Sequence, residues 1–459
     1  MFEKVTRLFG QVDMTEGKPW RKIVVFTFPM LIGNVAQQLY NTVDSIVVGK
    51  YVGDNALAAV GSASPIFNLL LVLFVGIAMG AGIMVSQYYG SRDRENLSKT
   101  IGTTITLTAV ASVLLMLAGS LAIRPVLVLL DTPPSIIDWC TSYLLILLWG
   151  IAGLAYYNIL CGILRGLGDS LSALVYLLVA TVLNIVLDIW FVAGLGMEVA
   201  GVALATVIAQ LVSAALCILK LRKMTAFFDM KKEYLKPDRE NIFTVIRLGL
   251  PSGLTQAIFS LAMVVVQSLT NSFGEMIIAA NVIIMRVDGF AMMPNFSFGT
   301  AMTTYAGQNV GAKQYDRVKQ GARQGTLIAV CTSAVITGLI LLFGPYLMGI
   351  FTNTGELARL SADMMKILAV GYIAMAVTQS LSGVMRGAGD TVTPMWISLL
   401  TTVAVRVPLA YGLVYLTRTE ELPQGRYESL WISLLTSWVL GALITFIFYK
   451  IGRWKKKAL

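Results

Sequence analysis

The chain has no histidine, and few of its 459 residues are charged. Without an imidazole, proton relays through histidine are excluded. Charged residues make up 13% of the chain, about half the share in a typical soluble domain, whereas 56% are hydrophobic. The four cysteines lie singly in apolar surroundings, with neither disulfide-framework nor zinc spacing, so they are expected to be buried small side chains. The low share of charged residues and the high share of hydrophobic residues exclude an ordinary soluble domain.

Long apolar runs account for the missing charge. Residues 105–123, 327–343 and 431–448 are examples, each long enough or nearly so to cross a hydrocarbon core of about 30 Å. Because backbone groups in lipid must find partners within their own segment, these runs are predicted to be helices, and the two-residue alternation of a membrane barrel is absent. Twelve spans are predicted, at roughly 20–48, 56–85, 99–123, 139–164, 171–193, 199–220, 243–270, 277–306, 324–345, 360–384, 392–416 and 428–450. The fold class expected is an all-α integral membrane protein with twelve transmembrane helices.

The net charge of +10 raises the question of a nucleic-acid partner. With the N-terminus inside, most of the 35 Lys and Arg residues fall in the inner segments, and they are concentrated at 220–247 and 450–457. Few fall outside, for example Lys50 and Arg124. This asymmetry is the positive-inside signal, which places both termini in the cytoplasm. The basic charge is thus explained by membrane topology, and no nucleic-acid partner is expected.

The sequence repeats itself at an offset of 221 positions. The motif R-G-x-G-D occurs at 165–169 and at 386–390, and QYYGSR at 87–92 matches QNVGAK at 308–313. Since each half holds six spans, an even number, both halves enter the membrane in the same sense, and a pseudo-two-fold axis along the membrane normal is expected to relate them. The predicted organisation is an N-terminal six-helix lobe at 1–222, a basic cytoplasmic linker at 223–242 and a C-terminal six-helix lobe at 243–459.

The R-G-x-G-D motif falls at the predicted turn between the fourth and fifth spans of each lobe. Its glycines can end one helix and allow a tight turn, and Asp169 or Asp390 can cap the next helix. A phosphate-binding loop is disfavoured because no βα unit surrounds the motif. The favoured interpretation is a turn that both lobes need.

Residues present in only one lobe are candidates for function. Asp44 on the first span and Asp188 on the fifth have the apolar counterparts Val265 and Leu409 at the 221 offset. A charged side chain at mid-membrane costs about 2.5–3.5 kcal/mol even on insertion scales. Each of these acids therefore needs a cation, a proton or a basic partner.

The depth of these acids predicts a shared site. Asp44 and Asp188 each lie roughly 9 Å below the outer edge of the membrane. Asn184 is one turn from Asp188 on the same helix face, and Thr206 lies roughly 12 Å down on the sixth span. Their oxygen atoms suit a hard cation such as Na⁺, but two nearby carboxylates can equally share a proton. The sequence leaves this choice open.

The second lobe has charged residues of its own within predicted spans. Arg406 precedes Pro408 and is interpreted as fixing a kinked helix, with anion binding or pairing with an acid as alternatives. Arg286 and Asp288 are two positions apart and do not share a helix face. Their partners are left open.

Several segments together resemble the multidrug and toxic compound extrusion (MATE) family, in its DinF-like branch. They are 39–61 (LYNTVDSIVVGKYVGDNALAAVG), 183–210 (LNIVLDIWFVAGLGMEVAGVALATVIAQ), 307–320 (GQNVGAKQYDRVKQ), 405–413 (VRVPLAYGL) and the two R-G-x-G-D turns. The likeness covers nearly the full length, and it is the combination of segments that is specific.

The resemblance implies a cation-coupled antiporter with two six-helix lobes and a large central cavity, which exports varied, often cationic, aromatic compounds. In the DinF-like branch the cation site lies in the N-terminal lobe. The residues matching that site are Asp44, Asn184, Asp188 and Thr206, with Asn158 on the fourth span expected to join them. The coupling ion would be Na⁺ or H⁺, and no other cofactor is expected. Another branch carries acids on the seventh and tenth spans, but PSGLTQAIFSL and GYIAMAVTQSLSGVM have none here, which argues against coupling in the second lobe.

Polar, aromatic and methionine side chains are candidates for the substrate cavity. They are Gln37 and Tyr40 on the first span and Met285, Arg286 and Met292 on the eighth. Methionine is flexible and adapts to varied ligands. The partners expected are small-molecule drugs or toxins and membrane lipids, and the chain is expected to act as a monomer in the inner membrane of a prokaryote.

Four other functions are alternatives to the antiporter. A flippase of the same superfamily, moving a lipid-linked headgroup, would show several cations lining its cavity, and Arg286 and Arg406 keep this alternative open. A major-facilitator carrier is disfavoured because GSRDRENLSK does not match its G-x-x-x-D-R motif. An enzyme is not expected, since the sequence shows no nucleophile–base pair, catalytic metal-ligand set or nucleotide loop. A passive channel would not require a lone acid pair in one half.

Overall fold

The computed structural model describes residues 10–459, and within this range the regular structure is helical, without β-strands. The helices of the first half are α1 (Pro19–Tyr51), α2 (Asp54–Gly90), α3 (Arg94–Leu129), α4 (Ile137–Trp149), α5 (Ile151–Gly166), α6 (Ser170–Asp188) and α7 (Glu198–Arg222). Those of the second half are α8 (Arg239–Asn271), α9 (Glu275–Gly311), α10 (Tyr315–Gly349), α11 (Gly355–Ala369), α12 (Gly371–Gly387), α13 (Val392–Leu399), α14 (Val407–Leu416) and α15 (Ser429–Ile451). Two π-helical segments, Ile189–Gly194 and Leu400–Arg406, follow α6 and α13, and 3₁₀ turns occupy Lys232–Leu235 and Arg453–Lys456.

Ten helical segments of the described chain are long and apolar enough to cross a membrane. Two further spans are bent pairs, since α4 meets α5 at 53° and α11 meets α12 at 44°. The breaks fall at Gly150 in the first half and at Val370 in the second, next to Gly371, which is the counterpart of Gly150 at the 221 offset, so the break belongs to the repeat. With each bent pair counted as one span, the described residues form up to twelve spans. The all-α membrane fold predicted from the apolar runs is confirmed.

The chain divides into two compact units. The first unit comprises Phe28–Gly253 with the described residues up to Asp13, and the second comprises Met14–Thr27 and Leu254–Leu459. The beginning of α1 therefore groups with the second unit, and the first half of α8 groups with the first unit. The lobe bounds expected from the sequence, 1–222 and 243–459, differ from these units at residues 14–27 and 223–253.

The repeated R-G-x-G-D turns have the same backbone in both halves. The second glycine of each motif lies in the left-handed region, with φ of 87° in the first half and 94° in the second, where a side chain would be strained. Asp169 accepts hydrogen bonds from the backbone N–H and the hydroxyl of Ser172, at 2.9 and 2.7 Å. Asp390 accepts the equivalent pair from Thr393, at 3.2 and 2.8 Å. Each aspartate thus caps the helix that follows, as the sequence predicted.

The first glycine of each motif serves the close packing of two helices. On α5, a Cβ added to Gly162 or Gly166 would press against backbone oxygens of α2. On α12, a Cβ added to Gly383 or Gly387 would overlap backbone oxygens of α9. Small residues four apart allow membrane helices to approach this closely. The repeated motif therefore ends a helix and also fixes how near that helix lies to its neighbour.

The linker predicted at 223–242 lies along α3 within the first unit. The guanidinium of Arg94 donates to Thr225 O at 2.6 Å and to both oxygens of Asp229, at 2.7 and 3.1 Å. This guanidinium holds the pKa of the Asp229 carboxyl below its usual range. Three turns further along α3, Thr106 Oγ1 donates to Leu235 O at 2.6 Å. The linker is therefore anchored to one helix at two points.

Candidate functional site

The C-terminal end of α6 carries two polar side chains in the interior of the first unit. Asn184 and Asp188 lie four residues apart on one helix face, and both have 0% exposure. The α-helix gives way to a π-helical segment directly after Asp188, so the backbone geometry changes at the acid. Such short π segments occur frequently at functional sites.

The amide of Asn184 joins Asp188 to Asp44 of α1. With its nitrogen turned toward the acids, Asn184 donates to Asp44 Oδ1 at 2.9 Å and to Asp188 Oδ2 at 3.1 Å. The other amide atom lies 3.5 Å from Thr206 Oγ1 on α7, and Thr206 accepts a hydrogen bond from Tyr40 OH at 3.1 Å. The structure therefore brings together four residues predicted for the ion site and adds the phenol of Tyr40. Their role in ion binding stays a prediction.

The two carboxyl groups lie close together, because one oxygen of each contacts the same amide nitrogen of Asn184. Asp188 Oδ1 is buried, and no described donor group contacts it. A buried acceptor left without a partner is costly, by about 1–3 kcal/mol, and more when it is charged. A proton shared by the two acids, or a cation between them, would satisfy this oxygen.

Tyr143 of α4 is a neighbour of this cluster that the sequence did not single out. Its side chain is buried, and it lies near Asp44 and Asp188. The residues three and four positions away on α4 are apolar, so no polar helix face marks Tyr143 in the sequence. Only the packing of α4 against the acids reveals it.

Asn158 of α5 is not joined to this network by any hydrogen bond among the described side chains. It is partly buried, and its Nδ2 donates within its own helix, to Leu154 O at 2.9 Å. Its place in the ion site stays a prediction.

The second unit contains a cavity of about 310 Å³. Apolar side chains dominate its wall, and they include Met263, Met285, Met292, Met375, Trp431 and Trp438. Met285 and Met292 were predicted for the substrate cavity, and the structure places both on this wall. The sequence did not single out the two tryptophans, because isolated tryptophans in apolar spans carry no positional signal.

One acid and one base line this cavity. Tyr372 OH donates to Asp288 Oδ1 at 2.9 Å, and Arg406 lies close enough to act on the charge of Asp288. Arg406 is the last residue of the π segment Leu400–Arg406, and its Nε is buried without a partner in the described part of the chain. The partner of Asp288 that the sequence left open is thus Tyr372, with Arg406 nearby.

Arg286 and Gln37, also predicted for the substrate cavity, lie apart from these walls. Arg286 neighbours Met285 on α9, but it is exposed and does not line the 310 Å³ cavity. Gln37 is partly buried on α1, in the first unit. Whether either residue contacts substrate stays a prediction.

A family model described as MatE matches the chain twice, at residues 29–190 and 251–412. The two matches have equal length and fall one in each half, which confirms the internal duplication. Together they cover more than half of the chain.

Relatives and solved structures resemble the chain over nearly its whole length. The probable multidrug resistance protein YoeA of Bacillus subtilis (strain 168) is 30% identical over 455 residues, which is 97% of either chain. A crystal structure of MATE in complex with MaL6 aligns with a TM-score of 0.89 and 25% identity, over 96% of this chain and 98% of that chain. A MOP superfamily transporter from Pyrococcus furiosus aligns with a TM-score of 0.88 and 25% identity, over 96% and 97%. Its binding pocket is described as having reverse polarity, which suggests a different function for that protein.

Proposed function

The chain belongs to the MatE family, and we propose that it is a secondary active multidrug efflux transporter. In this proposal Na⁺ or H⁺ moving inward drives amphipathic, often cationic, organic compounds outward by alternating access. The proposed setting is the inner membrane of a prokaryote, with both termini in the cytoplasm. The families of resistance proteins and transporters to which its relatives belong support this class of function.

The observation that carries the proposal is the pair Asp44 and Asp188 in the first unit. Both acids contact the amide nitrogen of Asn184, and no described Lys or Arg forms an ion pair with either one. Each charge would cost about 2.5–3.5 kcal/mol at mid-membrane without compensation. A mobile cation or proton supplies that compensation, and its arrival and departure then change the charge of the site.

Both candidate ions fit the side chains present. Two carboxylates, the hydroxyl of Thr206 and the amide oxygen of Asn184, which a half-turn of the amide would present, form an oxygen set suited to Na⁺. In the orientation described, the amide nitrogen donates to both acids, an arrangement that also suits two acids sharing one proton. We therefore keep Na⁺ and H⁺ as alternatives that a transport measurement separates.

The driving force limits what one ion can export. One cation entering down a potential of about 100 mV supplies about 2.3 kcal/mol, and a tenfold ion gradient adds about 1.4 kcal/mol. Together they hold a neutral substrate at a gradient of roughly several hundred-fold. When the substrate is a monovalent cation exchanged one for one, no net charge moves, and the limit falls to roughly tenfold. Export of cations against larger gradients requires more than one coupling ion.

The 310 Å³ cavity of the second unit supports a role in holding substrate. Its methionines adapt to different shapes, and its tryptophans offer flat surfaces to aromatic compounds. Asp288 gives the cavity an acid that a cationic compound can approach. We propose that Met285 and Met292 contact bound substrate there.

Dye efflux from proteoliposomes tests the proposal. The full chain is reconstituted with an ethidium-like dye, and Na⁺ and pH gradients are imposed separately. Export is expected to follow one gradient, and Asp44→Asn is expected to abolish that dependence while the variant still inserts and elutes as a folded protein. Uptake and release independent of both gradients, or parental pumping by Asp44→Asn, would show the coupling assignment to be wrong.

A flippase for a lipid-linked headgroup is the second candidate, and Arg406 is the observation that favours it. Its buried Nε lacks a partner among the described residues and lies at the cavity wall, where a phosphate could meet it. However, the lining contains one acid as well as this one base, and the exposed Arg286 is not part of it. The flippase is supported if the reconstituted protein moves a fluorescent lipid-linked phosphate between leaflets and leaves the dye gradient unchanged.

A further inference from the structure

The second unit carries a larger cavity, of about 670 Å³, that the transport proposal does not use. Side chains of α10, α12, α15 and the 3₁₀ turn Arg453–Lys456 line it. We call it the basic groove, after the four basic residues on its lining: Lys319, Arg323, Lys450 and Lys455.

The charge of the basic groove is only partly neutralised by the protein. No acid is among its lining residues. Lys319 is paired with Asp316, at 2.7 Å. Arg323 and Lys450 are exposed and form no ion pair in the described chain. The groove therefore offers positive charge to a ligand.

The same groove continues onto the apolar surface of the helices. Leu327 on α10 and Phe446 on α15 line it and are 61% and 48% exposed. In a chain that spans a membrane, exposed apolar side chains of this kind contact lipid. The basic part of the groove therefore adjoins its apolar part, as the headgroup of a phospholipid adjoins its acyl chains.

The wall beside Lys455 is built by a folded turn. Gly452 has φ of 74°, the left-handed conformation that ends α15. Trp454 then packs with 1% exposure, stacks on Tyr449 with ring centroids 5.6 Å apart, and donates from Nε1 to Tyr449 O at 3.0 Å. These contacts fix the turn and hold Lys455 at the groove.

One polar atom of the groove has no partner in the described protein. Thr326 lies on the groove-lining face of α10, one turn from Arg323, and its Oγ1 is buried without a hydrogen bond. A side-chain hydroxyl in a helix ordinarily bonds a carbonyl one turn earlier, as many in this protein do. The Thr326 hydroxyl is therefore without a partner at the groove wall, and it meets a ligand oxygen only when its side chain turns toward the groove.

We propose that the basic groove is a binding site for an anionic phospholipid. Its phosphate lies among Arg323, Lys450 and the Thr326 hydroxyl, and an acyl chain lies along Leu327 and Phe446. The positive-inside distribution explains why bases are present at these helix ends, but it requires neither a groove, an aromatic wall nor an unpaired hydroxyl. Basic pockets between helices at the cytoplasmic surface are recognised sites for anionic headgroups. This proposal does not depend on ion coupling or on drug transport.

The test uses the full chain purified in a neutral detergent. It is titrated with dioleoyl phosphatidylglycerol or dioleoyl phosphatidylcholine, and bound lipid is counted by native mass spectrometry while the thermal unfolding midpoint is recorded. The test variant is Arg323→Gln/Lys450→Gln. The matched control is Arg222→Gln/Lys223→Gln, which removes the same charge from two exposed residues at the end of α7.

The parent is expected to retain phosphatidylglycerol in preference to phosphatidylcholine. Each base near an anionic headgroup contributes about fivefold in affinity, so the double variant is expected to bind roughly 25-fold more weakly and the control to match the parent. Thr326→Val, which removes the hydroxyl at equal size, is expected to weaken binding without changing the midpoint of the lipid-free protein. Equal retention of both lipids, equal losses in test variant and control, or reproduction of the effect by inorganic phosphate alone would overturn the proposal.

Discussion

Replacing Asp188 by asparagine is the perturbation that most directly probes the candidate ion site. Asparagine keeps the size of the side chain and removes its charge. Asp188 is fully buried, and its Oδ1 has no described partner, so the change leaves helix packing intact and alters chiefly what the site offers an ion. We expect the variant to fold and to lose ion-driven export.

The expected magnitude follows from the electrostatics of a single charge. A cation held about 4 Å from one carboxylate gains about 4 kcal/mol at an effective dielectric constant of about 20. Loss of that attraction lowers cation affinity by about three orders of magnitude, since each 1.4 kcal/mol is about tenfold. A half-saturating concentration of about 1 mM would therefore move beyond the range accessible in vesicles.

The change in the half-saturating ion concentration is measured by recording dye efflux at increasing concentrations of the coupling ion. The chain offers a matched control in Asp288→Asn, because Asp288 is also a membrane acid but is hydrogen-bonded to Tyr372 and lies near Arg406. This variant is expected to weaken the binding of a cationic dye, because Asp288 lies in the proposed substrate cavity, but to change the half-saturating ion concentration by less than about threefold. The reasoning is refuted if Asp188→Asn keeps the parental ion dependence, or if Asp288→Asn shows the larger shift.

Three further predictions concern packing, capping and the linker. Gly387→Ala places a Cβ on a backbone oxygen of α9 and is expected to lower the free energy of unfolding by about 1–3 kcal/mol. Gly338→Ala is the control, because a Cβ there meets open space, and it is expected to be neutral or slightly stabilising. Equal thermal unfolding midpoints for the two variants would contradict this. Asp390→Ala removes the cap of α13 and is expected to lower the free energy of unfolding by about 1 kcal/mol. Asparagine can still cap a helix, so an Asp390→Asn variant as unstable as the alanine variant would argue against capping. Arg94 lowers the pKa of the Asp229 carboxyl, so this carboxyl binds a proton less readily in the folded state than in the unfolded state. The stabilisation of the linker is therefore present above the ordinary carboxyl pKa and is lost as the pH falls through the lowered pKa. Hydrogen exchange of residues 225–229 is expected to accelerate, relative to intrinsic rates, below about pH 4, and the same pH dependence in Arg94→Gln would contradict that cause.

The sequence predicted the fold because its signals are long-range and redundant. Twelve apolar runs set the helices, and the 221-residue repeat predicted features that the structure shows twice, including the capping by Asp169 and Asp390. The close packing at Gly166 and Gly387 was not predicted, because a glycine that lets two helices meet looks the same in sequence as one that ends a helix. Only the neighbouring helix distinguishes the two roles.

The candidate site was predicted in part, for a related reason. A carboxylate in an apolar span stands out because burying it is costly, so Asp44 and Asp188 could be found from composition and depth. Aromatic hydroxyls carry no such cost. Tyr40 was predicted for the substrate cavity, and its hydrogen bond to Thr206 depends on how α1 packs against α7, whereas the approach of Tyr143 to the acids depends on how α4 packs. In the same way, the pairing of Asp288 with Tyr372 joins residues 84 positions apart and has no local signal.

The two units differ in how they compensate the charge of their buried acids. In the second unit, Asp288 has fixed partners, a hydrogen bond from Tyr372 and the nearby charge of Arg406. In the first unit, the described surroundings of Asp44 and Asp188 offer an amide, a hydroxyl and phenols, but no base. A permanent internal cation keeps the charge of a site constant through a transport cycle, whereas a site that lacks one must exchange its positive charge with solution. The proposed ion exchange is therefore assigned to the first unit, because the acid of the second unit already has an arginine nearby.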